Sequence, residues 1–354
     1  MLRSMFLSIL MMMMIAGGAV AGEWAETVKV SGDLRYRHEN IDETGKEMRN
    51  RHRVRGRIGI DAAVEENLSV HFRLVSGSDD PASTNQTLDD AFTTKSIGLD
   101  RASFVWTRTE SNLKVMGGKM GLPFIQVAKS ELIWDGDLSP EGLAAAWKTG
   151  SGSATFFVNA AGLWIDERES AKNAAMLGAQ AGLTHATDGV TVTVGGSLFG
   201  YCELSGPLYD DSFFGNSNDG TIFGTEFTLV EIFGSLGFKA GDTPVTVFAD
   251  VVTNSDADAD EQGYLFGVKL NKAKKPGSWA LGYDYRELQA DAVVGAFTNS
   301  DFGGGGTDAK GHSVSGQYQL SPKSQLALTY FMNTKGLDNG VDYNRLQADL
   351  NIKF

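Results

Sequence analysis

The sequence predicts an all-β chain: a transmembrane antiparallel β-barrel of about sixteen strands, with short turns at one end and long loops at the other. Three observations carry that reading. Apolar and polar residues alternate over segment after segment, as they do when successive side chains point to opposite faces of a strand. The connections fall into two lengths that alternate strictly, seven short turns and eight long loops. No apolar run of about 20 residues, the length of a spanning helix, follows the N-terminal segment.

The chain opens with Arg3, an apolar run from Met5 to Ile15, and Ala19-Val20-Ala21, small residues spaced as before a cleavage site. This predicts a signal peptide over 1–21, with Met11 to Met14 belonging to it, and a single barrel domain over 22–354. An exported barrel is expected in the bacterial outer membrane. The only cysteine, Cys202, excludes an internal disulfide framework and a cysteine-based metal site. A formal net charge of −13 argues against nucleic acid as a partner.

Each strand then justifies itself by alternation. Val28, Val30, Leu34 and Tyr36 interleave with Lys29, Ser31, Asp33, Arg35 and Arg37. In the next strand Arg51, Arg53, Arg55 and Arg57 fall at every second position and share one face, with Val54, Ile58 and Ile60 on the other. Leu68, Val70, Phe72 and Leu74 alternate with Ser69, His71 and Arg73, and Arg101 follows in the fourth strand. Further on, Val190, Val192 and Val194 alternate with threonines. The last strand sets Leu346, Ala348, Leu350, Ile352 and Phe354 against Arg345, Gln347, Asp349, Asn351 and Lys353. Short turns such as Glu65-Glu66-Asn67, Gly241-Asp242-Thr243 and Ser321-Pro322-Lys323 are rich in turn formers. The long loops run roughly over 40–50, 77–95, 120–140, 164–173, 202–220, 254–261, 287–309 and 334–341.

The arginines decide between a sandwich and a barrel. Four guanidiniums on an inward face would ruin a dry core. A sixteen-stranded barrel has a polar, water-filled interior and an apolar exterior. Arg35, Arg37, Arg51, Arg53, Arg55, Arg57, Arg73 and Arg101 are therefore expected on one lumen wall.

At this point the chain resembles Gram-negative outer-membrane porins, and most closely the family called "putative porin". The residues that carry the resemblance are RHRVRGRIGI (51–60), RLVSGSDDPASTNQTLDD (73–90), LDRASFVWT (99–107), VMGGKMGLPF (115–124), WDGDLSPEGLA (134–144) and the terminal Phe354. The resemblance implies that the third long loop, about 120–140, folds into the barrel as a constriction. Glu131, Asp135 and Asp137, with Glu141 just after, would then face the arginines and create a transverse field. It also implies a homotrimer, with Asp79, Asp80, Asp89 and Asp90 on a second loop that latches a neighbouring subunit. Small hydrophilic solutes and ions would pass, and the outer surface would meet lipid and lipopolysaccharide.

Other motifs are weaker. NSDADADEQ (254–262) places Asp256, Asp258 and Asp260 as in a calcium loop, but Glu261 stands where glycine is required and Gly267 where glutamate is. FGGGGTD (302–308) lacks the strand-to-helix setting of a phosphate loop. His38, His52, His71, His185 and His312 show no paired metal spacing. Trp106, Trp147, Trp279 and Tyr330 sit near strand ends and read as interfacial girdle residues. No cofactor is implied.

Four function classes are open. The first is a passive diffusion channel. The second is a channel selective for anions such as phosphate, because guanidinium forks grip oxyanions bidentately. The third is a barrel enzyme, for which no serine, histidine and orienting group can be named. The fourth is a structural barrel or adhesin.

Overall fold

The computed structural model describes residues 27–354; the expected signal peptide lies outside them. The strands are β1 (Val28–Glu43), β2 (Arg49–Glu65), β3 (Leu68–Ser76), the two-residue β4 (Gln86–Thr87), β5 (Ile97–Arg108), β6 (Leu113–Lys119), β7 (Glu141–Ser151), β8 (Ala154–Asp166) and β9 (Ala174–Ala186). They continue as β10 (Val190–Cys202), β11 (Thr228–Ala240), β12 (Thr243–Asn254), β13 (Gln262–Asn271), β14 (Trp279–Leu288), β15 (Ala309–Ser321), β16 (Ser324–Lys335) and β17 (Val341–Lys353). Among the described residues the only helical elements are three-residue 3-10 turns. Consecutive strands pair antiparallel, and β17 returns to pair with β1 from Asp33↔Lys353 to Glu43↔Tyr343. Setting β4 aside, sixteen strands thus close into a barrel with no free edge, as hydrocarbon demands of a sheet.

The outer face is apolar and unpacked: Leu34, Ile58, Leu198 and Ile232 are 44, 48, 52 and 69 % exposed. Trp147, Trp279 and Tyr330 stand among these outward residues. The chain end seals the cylinder. Phe354 N donates to Gly32 O at 3.0 Å, and Gly32 N to Phe354 O at 3.2 Å. The Phe354 ring lies where a side chain at residue 32 would go, so glycine there makes room for it.

The lumen departs from a uniformly polar interior. On β8 to β14 the inward positions include Phe157, Met176, Phe199, Leu229, Phe233, Phe248, Val252, Leu265 and Leu288, all buried. Two long loops turn inward and cover them. Phe124, Leu132, Ile133 and Trp134 from the 120–140 loop, and Ala292, Val293 and Val294 from the 289–308 loop, join the same apolar cluster. Burying such a side chain is worth roughly 1.5–3 kcal/mol, enough in aggregate to hold a loop inside against its ordering entropy. One half of the lumen is therefore largely a packed core, with Glu231, Asp250, Lys269 and Arg286 among its apolar side chains, and the opposite half, along β1, β2, β3, β5 and β17, carries the denser charge.

The inward loop leaves the wall through a glycine pair. Gly118 and Gly142 face each other across β6 and β7 with φ of +108° and +150°, conformations unfavourable for side-chain-bearing residues. A Cβ on Gly142 would overlap the carbonyl oxygen of Gly162. Gly142→Ala is expected to cost about 1–3 kcal/mol in backbone strain alone. Refolding into lipid vesicles should show a lower urea midpoint; an unchanged midpoint would mean that the junction tolerates a side chain.

Candidate functional site

All eight predicted arginines lie on the lumen side of β1, β2, β3 and β5. The register sets like charges against one another: Arg35↔Arg55, Arg37↔Arg53 and Arg73↔Arg101 are direct cross-strand partners. A bulge between Arg73 and Leu74 keeps that last pair aligned. Like charges so placed repel, and carboxylates interleaved on the same face offset them. Asp33 accepts from Arg55 at 3.0 Å and from Arg57 at 2.8 Å. Glu39, fully buried, takes Arg345 at 2.7 Å, Arg51 at 2.5 Å and Arg37 at 3.4 Å. Arg37 also meets Asp349 at 2.6 Å and Asp301 at 3.1 Å. Arg73 pairs with Asp100. Arg35 and Arg101 alone among the eight have no carboxylate within salt-bridge distance. Arg35 donates to Asn85 Oδ1 at 2.6 Å, and Arg101 to Ser139 Oγ at 3.1 Å.

The 120–140 loop spans the lumen and is pinned to far walls. Gln180 bonds both the N–H and the carbonyl of Ile125. Ser130 Oγ donates to Asp250 at 2.5 Å, Arg286 to Ser130 O at 2.8 Å, and Lys269 to Ala128 O. Its acidic tip reaches the arginines at Asp137, 3.5 Å from Arg55 and 3.6 Å from Arg57, with Thr84 Oγ1 donating at 3.0 Å. Asp135 instead joins the two inward loops: its carboxylate accepts from Ser300 N at 2.9 Å, and its own N–H donates to Phe297 O at 2.7 Å. Glu131 accepts from Gly136 N and Asn299. Glu141 stands apart from this tip, at the start of β7, where Lys119 holds it at 2.8 Å.

Between tip and wall lies a polar cavity of about 330 Å³. Its charged lining is Arg35, Arg55, Arg57 and Lys129 against Glu131, Asp135, Asp137 and Asp301. The acids differ in state. Burial alone would raise Asp137, but the Arg55, Arg35 and Arg57 guanidiniums outweigh it and hold its carboxyl below the usual range. Asp301 is likewise held far down, against burial, by Arg345 and Arg37. Burial, with Asp301 and Asp137 nearby, pushes Glu131 up to about 6. Burial beside Glu131 and Asp137 pushes Asp135 well above its ordinary value.

The sign of the pH dependence follows. A raised carboxyl is charged above its pKa and neutral below it. From about pH 7 to about pH 5 Glu131 loses its charge, so anion permeability relative to cations should rise. Glu131→Gln should show the shifted reversal potential already at pH 7 and lack the step; a flat profile in the parent chain would contradict this.

Several residues here escaped the sequence reading. Asp33 and Glu39 sit two residues either side of Arg35 and Arg37 on the same face, so the period-two rule would have found them. Arg345 is opposite Ile41 because the barrel closes. Asp301 comes with the second inward loop, and Arg286, on β14, is brought in by the 120–140 loop, whose Ser130 O it meets. The second loop also turns in: Ala82 to Asn85 are buried, Asn85 O accepts from Arg53 and Ala82 O from Ser300, while Asp89 lies outside and pairs with Lys95 at 2.7 Å. Asp256, Asp258 and Asp260 form no group able to hold a metal ion among the described residues.

A family profile described as "Putative porin" matches residues 41–235 and 229–354. Solved structures share the fold. OprB of Pseudomonas putida matches with a TM-score of 0.63 at 10 % identity, over 93 % of this chain and 95 % of that one. OmpF of Salmonella typhi, solved with daunomycin, gives 0.59 at 11 %, over 92 % and 97 %. A mutant of the Rhodopseudomonas blastica porin gives 0.53 at 10 %, over 92 % and 100 %. A search of curated proteins gives no match.

Proposed function

This chain belongs to the "Putative porin" family, outer-membrane barrels for passive diffusion, and we propose that its passage is the strip of lumen along the arginine wall, with a preference for small anions. The observation that carries the preference is the pair of guanidiniums without a carboxylate partner: Arg35, which lines the cavity, and Arg101, held at Ser139. Lys129 adds a third cation with no carboxylate at salt-bridge distance among the described residues. On this reading a solute passes beside these groups, where charge in a confined channel acts at close range. A homotrimer, with the exposed 88–97 segment against a neighbour, is the assembly this reading expects.

The test is a chloride-current recording with added inorganic phosphate, followed by liposome swelling in uncharged sugars of rising size. Phosphate should depress chloride current at concentrations where an uncharged sugar does not. Equal effects would reduce the function to unselective diffusion. Ester hydrolysis above an empty-vesicle control would reopen the enzyme reading.

A further inference from the structure

A second chamber, of about 520 Å³, lies on the other side of the 120–140 loop. The loop is the partition. Asp135, Gly136 and Asp137 line the arginine-side cavity, whereas Trp134 and Leu138 line the chamber. The chamber is lined by β3, β5, β6, β7, β8, β9 and β10 and by five of the long loops, so it exists only with the loops folded in.

Its chemistry is the reverse of the passage. Asp79, Asp80, Asp100, Glu141, Asp166 and Glu167 line it, with one cation, Lys119, and no arginine. Lys119 is engaged by Glu141 at 2.8 Å, Asp100 by Arg73, and Asp166 by Arg168 at 2.7 Å. Asp79, Asp80 and Glu167 meet no cation within salt-bridge distance among the described residues. The floor is apolar and aromatic. Trp134 stacks between Tyr201, centroids 6.5 Å apart, and Phe297, 6.2 Å apart, with Leu122 and Leu138 beside them. Trp134 is 6 % exposed, yet its indole Nε1 has no hydrogen-bond partner, nor has the Tyr201 hydroxyl. A chamber of this volume with an apolar floor and a few polar groups has the form of a small-molecule site.

We propose that this chamber binds amphipathic organic cations: a ring or short hydrocarbon body carrying a protonated amine. The body covers the aromatic floor, and the ammonium meets Asp79, Asp80 and Glu167. An anion would meet three carboxylates without a cationic partner, Asp80 held by the Ala82 N–H at 2.9 Å, and a neutral molecule would leave their charge unanswered. The site stands independently of the anion preference, because no residue of the arginine wall lines it.

Titration calorimetry on the detergent-solubilised mature chain tests it with three probes sharing one ring: phenethylamine, phenethyl alcohol and phenylacetate. Phenethylamine should bind saturably and about tenfold or more tighter than either control, the ratio that one charge contact supplies. Asp79→Asn with Glu167→Gln, both exposed positions, should erase most of that advantage and leave the affinity for phenethyl alcohol unchanged. The Arg35→Gln, Arg101→Gln chain should bind phenethylamine as the parent does, which separates failure here from failure of the anion reading. Three probes of equal affinity, no saturable binding, or an unaltered preference in the carboxylate variant would each overturn the proposal.

Discussion

Replacing Arg35 and Arg101 together by glutamine should turn the channel from anion-preferring towards cation-preferring. These two guanidiniums have no carboxylate to answer them, so their removal leaves the lumen's paired charges in place and deletes only the surplus. A unit charge roughly 8 Å from an ion's path is worth about 0.5 kcal/mol in bulk water, with opposite signs for chloride and potassium. Two such charges therefore change the permeability ratio by about 2 kcal/mol, roughly thirtyfold, without screening, and by roughly fourfold if salt screens them as in bulk water. The reversal potential in a potassium chloride gradient reads this directly. Arg35→Lys with Arg101→Lys keeps the charge and should keep the anion preference. If the glutamine and lysine pairs behave alike, charge at these positions does not set selectivity.

Glu39→Ala should be the most damaging single substitution in the barrel wall. Glu39 has no exposed surface and is the common partner of Arg51, Arg345 and Arg37, two of them on neighbouring strands. Removing one member of a buried ionic group leaves its partners' charge uncompensated, at roughly 3–5 kcal/mol. The effect concentrates at the seam, because β17, which carries Arg345, closes the cylinder against β1. Urea titration of the vesicle-inserted chain should show a large fall in midpoint, and Glu39→Gln, which retains hydrogen-bond acceptance, a smaller one. A midpoint equal to the parent's in both would mean that water already solvates these arginines.

The strand count and the alternation of short and long connections were legible because each is a local property. A period of two fixes which way Arg53 points regardless of the rest of the chain. What lay beyond reach depended on closure or on loop packing. Arg345 stood in plain view on an alternating strand, but its place beside Glu39 follows only once the last strand meets the first. The inward course of the 289–308 loop, which brings Asp301 to Arg37, left no periodic mark. There was one overlooked signal. Leu229 and Phe233 face the lumen while Val230 and Ile232 face outward, so that strand is apolar on both faces. Apart from Glu231 between them, such a pattern belongs to strands covered on both sides, and it pointed to a lumen half filled by its own loops.

The central claim is that water and ions pass along the charged side of a barrel whose other side is packed shut. Planar-bilayer recording of the purified chain over residues 22–354 tests it most directly. The account predicts discrete, ohmic conductance steps in potassium chloride, with a salt-gradient reversal potential of the anion-preferring sign. A chain that is folded and inserted, shown by β-type circular dichroism and protease resistance in vesicles, yet gives no conductance steps would contradict it.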